Sequence, residues 1–344
     1  MIRDNKKVEL MPLHRLSLIV PLYNEVDNVI PLLADIHGAL LNYQSPWELI
    51  VVDDGSRDGT AERLIEEARH YGSHVRVLIL KRNFGQTTAM QAGIDAARGE
   101  VLATLDGDLQ NDPADIPRLV RRLLKEDLDL VVGWRHIRKD NMWLRTIPSR
   151  IANLIIGIIT GMRLHDYGCS LKVYRGNIIK QVRLYGEMHR FIPAWISVRT
   201  SPSRICEEIV NHRPRLYGES KYGISRTFRV VLDLISVYFF LNFLTKPGHF
   251  FGRIGLAGGG LGLLLLFYLT VKKIFFDFDI IAQPLFLVGI LLVFMAIQFL
   301  TTGVLSEIIT RTYFESSSNL PYSILFDGAS ESALDTGWRL PDVI

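Results

Sequence analysis

Asp106-Gly107-Asp108 stands at the end of the apolar run VLATL, residues 101–105. Two carboxylates one residue apart at a strand's end can hold a divalent cation through oxygen ligands, as Mg2+ or Mn2+ prefers. Such a cation would bridge a pyrophosphate and neutralise the charge that grows on it as it leaves. An isolated pair of this kind is usually a solvated loop. Here the chain continues Leu109-Gln110, and Gln110 could return to the same ion, so Asp106, Asp108 and Gln110 form the expected metal set. A second acidic pair, Asp53-Asp54, closes the run ELIVV at 48–52. A carboxylate there can accept from a base N–H or from ribose hydroxyls, or it can form an Asx turn into the next helix. Both uses fit if Asp54 faces a ligand while Asp53 shapes the turn. Pro21-Leu22-Tyr23-Asn24-Glu25 adds a ring for base stacking and further polar contacts.

These loops need a frame that brings them together. LSLIVPL at 16–22 is the short, β-branched apolar run of a buried parallel strand. Residues 29–41 show helical spacing, 48–52 read as a second strand, and 58–70 as a helix with Asp58 at its N-cap. A third strand at 75–80, a helix at 87–97 and a fourth strand at 101–105 follow. Strands alternating with helices at this spacing predict an α/β domain, a parallel sheet with helices on both faces. Ligands of such sheets bind beyond the carboxyl ends of the strands, which selects the three acidic loops. No G-x-G-x-x-G follows the first strand and no G-x-x-x-x-G-K-[ST] occurs, so dinucleotide oxidoreductases and P-loop enzymes are disfavoured.

The chain has 344 residues, 48% hydrophobic and 22% charged, but the average hides a division. Residues 250–271 and 284–309 are two apolar stretches, each above the ~20 residues that cross a hydrocarbon core. A connection with Lys272, Lys273, Asp277 and Asp279 makes them a helical hairpin, and Gly258-Gly259-Gly260 suits close helix approach in lipid. Residues 228–244 read as an interfacial helix, with a third span as the alternative. The expected division is therefore a catalytic domain at 1–227, an interfacial helix at 228–247, a hairpin at 248–312 and a loosely ordered tail at 313–344. A net charge of +3 is too small to argue for nucleic acid. Cys169 and Cys206 exclude a disulfide framework. Lys272 and Lys273 favour an inside loop, whereas the first domain carries no export signal. The latter argument places the catalytic domain in the cytoplasm of an integral protein of the cell membrane.

Pro21-Leu22-Tyr23-Asn24-Glu25, Val52-Asp53-Asp54-Gly55-Ser56, Asn83-Phe84-Gly85-Gln86 and Leu105-Asp106-Gly107-Asp108-Leu109-Gln110 together resemble glycosyltransferase family two, of the Rossmann-like GT-A fold. Asp166-Tyr167-Gly168-Cys169 and Gly218-Glu219-Ser220-Lys221-Tyr222, followed by the hairpin, are similar to its polyisoprenyl-phosphate glycosyltransferases. That group includes the dolichol-phosphate mannose synthases, GtrB-type glucosyl transferases and ArnC-type aminoarabinose transferases. The resemblance spans about residues 15 to 312.

The resemblance implies a nucleotide-sugar site of Pro21, Tyr23, Glu25, Asp53, Asp54, Asn83, Gly85, Gln86 and Asp106. It implies Asp106, Asp108 and Gln110 at the metal, and Arg135, Arg145, Ser149, Arg215 and Lys221 toward the acceptor phosphate. Asp166 and Asp108 are the expected catalytic residues, with Asp166 at the position of a catalytic base. A phosphate monoester with a second pKa of about 6 is already largely dianionic, however, and needs charge neutralisation more than deprotonation. Asp166 could equally orient a sugar hydroxyl or hold an arginine. The expected activity is inverting transfer of one sugar from a nucleotide diphosphate, UDP favoured, to undecaprenyl or dolichyl phosphate. A homo-oligomer through the small residues of the hairpin is a further expectation. A processive polysaccharide synthase is the nearest rival, but no Q-x-x-R-W segment or set of tunnel spans is present. A non-catalytic scaffold would not be expected to keep every acidic loop.

Overall fold

The computed structural model describes residues 12–136, 157, 162, 164–214, 239, 243, 247–276, 279, 283–315 and 324–328. They divide between an α/β unit (1–237 with 320–344) and a helical unit (238–319).

In the α/β unit, β1 (Leu16–Leu22), β2 (Trp47–Asp53), β3 (Val75–Leu80) and β4 (Val101–Thr104) alternate with α1 (Val29–Leu40), α2 (Thr60–Tyr71) and α3 (Gln86–Ala96). Then come α4 (Ile116–Lys125), β5 (Leu130–Trp134), β6 (Lys172–Arg175), α5 (Gly176–Ile179), α6 (Ile192–Ile196) and β7 (Ile205–Ile209). Both faces of the sheet are covered, which is why β1 and β2 are buried along their whole length. Leu16, Leu18 and Val20 share one core with Leu33 and Ile36 of α1 and Leu119, Val120 and Leu123 of α4. α4 buries Ile116, Leu119, Val120 and Leu123, an i, i+3, i+4, i+7 stripe, and turns its arginines outward. On the other face, Ile19 and Val52 lie against α3 at Gly93. Each fully buried leucine or isoleucine contributes about 1.5–3 kcal/mol, so this two-sided burial dominates the unit's stability.

The sheet is mixed, where a parallel one was expected. Its order is β7-β5-β6-β4-β1-β2-β3-β8, with β8 spanning Ile324–Gly328. β1 to β4 run parallel, but β6 runs antiparallel to both β4 and β5, and β8 antiparallel to β3. The βαβ rhythm that announced a parallel sheet ends at β4, and β6 carries no signal of its direction. Within the stretch expected to be a loosely ordered tail, the described residues 324–328 form a strand. ILFDG pairs with the edge of β3, whose backbone groups would otherwise have no strand partner on that side. Helix α2 starts two residues later than expected, after Gly59 in the left-handed region (φ 94°). Asp58 still serves the helix start, accepting from the Thr60 N–H at 3.1 Å and the Thr60 hydroxyl at 2.5 Å.

In the helical unit, α7 (Pro247–Phe276) and α8 (Pro284–Glu315) pack against each other. Their apolar windows have mean hydropathies of 2.0 and 2.4, and only 17% and 11% of those windows is buried. Apolar helices this exposed are not core helices of a soluble domain; they have the length and surface of membrane spans. The close approach runs along Gly255, Gly259 and Gly262 rather than along the Gly258–Gly260 run. A Cβ on Gly259 would sit 2.9 Å from Ala296 Cβ, and one on Gly262 2.9 Å from the Gly289 carbonyl oxygen, whereas Gly258 and Gly260 face open space. Of the expected interfacial helix at 228–247, Phe239 and Phe243 are helical, Pro247 opens α7, and the rest lies outside the described residues.

Candidate active site

The sheet changes direction of growth between β1 and β4. From β1 the chain moves outward through β2 and β3, then returns to place β4 on the other side of β1. A crevice opens at such a switch point, and Pro21 helps open it. The Ile19 carbonyl accepts from the Leu105 N–H at 3.1 Å, so Ile19 and, by alternation, Pro21 turn their backbone toward β4. Pro21 has no N–H to continue that ladder. Pairing of β1 with β4 ends at Ile19 and Thr104, and the chains diverge.

The resulting cavity is about 310 Å3 and is lined by Pro21, Leu22, Tyr23, Glu25, Asp54, Asn83, Gly85, Gln86, Ala89, Asp106, Gly107 and Asp108. Eight of the predicted nucleotide-sugar residues meet here: Pro21, Tyr23, Glu25, Asp54, Asn83, Gly85, Gln86 and Asp106. Gly107 lets the acidic turn lie against β1, because a Cβ there would come within 2.0 Å of Leu22. Tyr23 lines the cavity and is 37% exposed. Asn24, in the left-handed region (φ 53°), stitches the first loop to the second: its N–H donates to Ser56 Oγ at 2.8 Å and its Oδ1 accepts from the Arg57 N–H at 2.9 Å.

Asp53 and Asp54 divide their work. Asp54 borders the cavity, but its two oxygens accept from the Phe84 and Gly85 N–H groups, each at 2.8 Å, and so hold the third loop. Asp53, predicted at the nucleotide, is fully buried and set back from the cavity, with Oδ2 accepting from the Ser56 N–H at 3.1 Å. Successive strand residues point to opposite sides, so the last residue of β2 turns inward while its neighbour reaches the cavity. Burial raises the pKa of both, and the backbone donors only partly oppose it.

Asp106 Oδ1 accepts from Gln86 Nε2 at 2.7 Å. Its pKa is pushed up to about 6, first by burial and then by Asp108, opposed by the Ser170 hydroxyl and by the charges of Lys172 and Arg135. Gln110 does not line the cavity. Leu109 takes the left-handed region (φ 61°) with its side chain buried, and the turn carries Gln110 away. The Gln110 N–H donates to Asp108 Oδ1 at 3.2 Å and its carbonyl accepts from the Arg213 N–H at 2.7 Å.

Asp166 meets an arginine. Only 2% exposed, it takes Arg135 Nε on Oδ2 at 2.7 Å and Nη2 on Oδ1 at 3.0 Å, a bidentate fork. The Asp166 carboxylate raises the Arg135 pKa despite burial, which acts the other way. Neither residue lines the cavity. The remaining predicted acceptor residues, Arg145, Ser149, Arg215 and Lys221, lie outside the described residues.

Lys172, Ser170 and Asn111 were missed by sequence reasoning. Lys172 is buried in β6 and donates to the Cys169 carbonyl; Asn111 Nδ2 donates to Ser170 Oγ at 2.7 Å. A lysine heading the strand KVYR reads as an exposed edge charge unless the neighbouring strands are known.

The glycosyl transferase family 2 model matches residues 17–186. Dodecaprenyl-phosphate galacturonate synthase of Rhizobium johnstonii is 52% identical over 319 residues, covering 92% of this chain and 94% of the relative. Undecaprenyl-phosphate 4-deoxy-4-formamido-L-arabinose transferase of Pseudomonas fluorescens is 37% identical over 88% of this chain and 86% of its own length. Among solved structures, glucosyl-3-phosphoglycerate synthase of Mycobacterium tuberculosis, in complex with Mn2+, UDP and glucosyl-3-phosphoglycerate, superposes with a TM-score of 0.52 at 17% identity. The match covers 66% of this chain and 80% of that one. That likeness bears on the fold, and it is GT-A. On the similarity to its curated relatives, the chain belongs to glycosyl transferase family 2, within the polyisoprenyl-phosphate glycosyltransferases.

Proposed function

We propose that this chain transfers one sugar, with inversion, from a nucleotide diphosphate to a polyisoprenyl phosphate. The observation that carries the reading is the composition of the cavity. Its described lining includes four carboxylates, Glu25, Asp54, Asp106 and Asp108, and no lysine or arginine. A diphosphate cannot enter such a wall unless a cation accompanies it. Asp106 and Asp108 offer the hard oxygen ligands that Mg2+ or Mn2+ takes, so the residues present fit a divalent ion. When bound, the ion would neutralise the departing diphosphate.

The chain's own groups supply the rest. Tyr23 stacks on the base, and Glu25 offers a carboxylate to the nucleoside. Gln86 fixes the orientation of Asp106 through their 2.7 Å hydrogen bond. Arg135 presents a guanidinium to the acceptor phosphate. Asp166, with both oxygens engaged by that arginine, acts as its holder rather than as a base. The dianionic phosphate already has its nucleophile, and orientation plus charge neutralisation are what it lacks. The hairpin gives the protein the membrane residence that a polyisoprenyl acceptor requires. We place the α/β unit in the cytoplasm, at the cell membrane, where nucleotide sugars are available.

The relative that is 52% identical is named for galacturonate, so a uronic acid heads the donor panel. The test is a screen of the full-length protein in detergent with Mg2+ or Mn2+. UDP-galacturonate, UDP-4-deoxy-4-formamido-L-arabinose, UDP-glucose and GDP-mannose are each offered with undecaprenyl or dodecaprenyl phosphate, and lipid-linked sugar is measured. A single sugar per lipid, formed only with metal, is expected. Chains of several sugars, or no lipid product from any donor, would overturn the reading.

A further inference from the structure

Lys172 is 2% exposed in a central strand, in register with Thr104 of β4 and Val132 of β5. Methionine or leucine would fill that space without the several kcal/mol that desolvating an ammonium costs. Its hydrogen bond among the described residues is to one neutral group, the Cys169 carbonyl oxygen. Burial lowers its pKa and Arg135 adds to that, while Cys169, Asp166 and Asp106 oppose it.

Cys169 lies in the turn that joins the two halves of the site. At one end of this turn Asp166 grips Arg135. At the other, the Ser170 carbonyl accepts from Thr104 Oγ1 at 2.9 Å, and Thr104 ends β4 two residues before Asp106. The Lys172 ammonium therefore pins the peptide between the group that holds the acceptor-side arginine and the group that holds the end of β4, from which the acidic turn leaves. We propose that Lys172 is a positioning residue for the transfer step, setting Arg135 relative to Asp106 through the Asp166–Ser170 turn; this rests on the transfer reading above. The ammonium does not touch substrate. It fixes the distance between the cation that meets the acceptor and the carboxylate that meets the donor. In-line attack across that distance is sensitive to displacements of about 1 Å, which cost roughly 100-fold in rate.

The test is Lys172→Met in the full-length protein, a change that keeps the volume and removes the charge. We expect kcat to fall about 30-fold and the KM for the polyisoprenyl phosphate to rise. Equilibrium binding of the nucleotide diphosphate with Mn2+ should stay within about twofold. The Tm should hold or rise, because a buried charge has been removed. A structural role predicts the opposite pairing, a lower Tm with activity lost in proportion to the protein unfolded. In an Arg135→Lys background, which breaks the fork to Asp166, Lys172→Met should cost less than about threefold. Wild-type turnover in Lys172→Met, a lowered Tm, or losses that simply multiply in the double variant would each overturn the inference while leaving the transfer reading intact. Failure of the wild-type protein to transfer any sugar overturns the transfer reading and the inference with it.

Discussion

The two ends of the central sheet both bury charge, and they treat it differently. At the amino end, Glu48 is wholly buried and fully occupied. Its oxygens accept from Ser17 Oγ at 2.6 Å and from Arg98 N, Nε and Nη2 at 2.8, 3.0 and 2.7 Å. Just before β5, at the same end of the sheet, Asp129 takes the Arg204 fork at 2.7 and 3.0 Å. Burial would raise the Asp129 pKa, but Arg204 and Thr200 outweigh it and hold it below the usual carboxylate range. At the carboxyl end, Asp53, Asp54 and Asp106 all sit above that range. Carboxylates whose cationic partners outweigh burial stabilise a fold; carboxylates where burial wins are placed to gain from an added cation.

The largest test of that contrast is Asp108→Asn. If the carboxyl end exists for a metal and a diphosphate, turnover should fall at least about 1000-fold while circular dichroism and Tm stay near wild type. Nucleotide diphosphate release on adding lipid phosphate is the readout, and full activity, or undiminished wild-type activity in excess chelator, would dissolve the contrast. Glu48→Ala should do the reverse. It leaves Ser17 and the Arg98 N–H without their acceptor and costs about 3 kcal/mol, a Tm drop of roughly 6–12 °C. Activity per folded molecule should be kept at a temperature below the transition. A large loss of kcat in protein shown to be folded would mean that the amino end also serves the chemistry.

The smallest effect carries a sign. The raised pKa of Asp106 means that the native state holds its proton more tightly than the unfolded chain does. Its contribution to stability is complete below about pH 4 and is lost as pH rises through about 6. Without metal at pH 7 the ionised carboxylate is therefore a burden. Asp106→Asn should raise Tm by roughly 2–4 °C, about 1 kcal/mol after solvent screening. The gain should vanish as pH is lowered toward 4, where the wild-type group is neutral too. An Asn variant less stable than wild type at pH 7 would place Asp106 with the structural carboxylates.

Much of this was legible in the chain. Apolar runs of strand length, each ended by polar loop residues, locate β1, β2 and β4 and put Pro21–Glu25, Asp53-Asp54 and Asp106–Asp108 at their carboxyl ends. Periodicity and local turn chemistry need no knowledge of distant residues. The hairpin was legible for the same reason, since two runs longer than a bilayer's thickness declare themselves by composition. Pairings between distant residues were not. Whether Asp166 meets a sugar, a proton or an arginine depends on a partner 31 residues away, and the fold supplied Arg135. That Lys172 is buried follows only from β6 inserting antiparallel between β4 and β5, and that Ile324–Gly328 is a strand follows from the open edge of β3. Local sequence sets which conformations a segment can adopt and which groups it can offer. Burial and partnership depend on non-local pairing, so tertiary structure alone decided which charges in this chain are satisfied and which await a ligand.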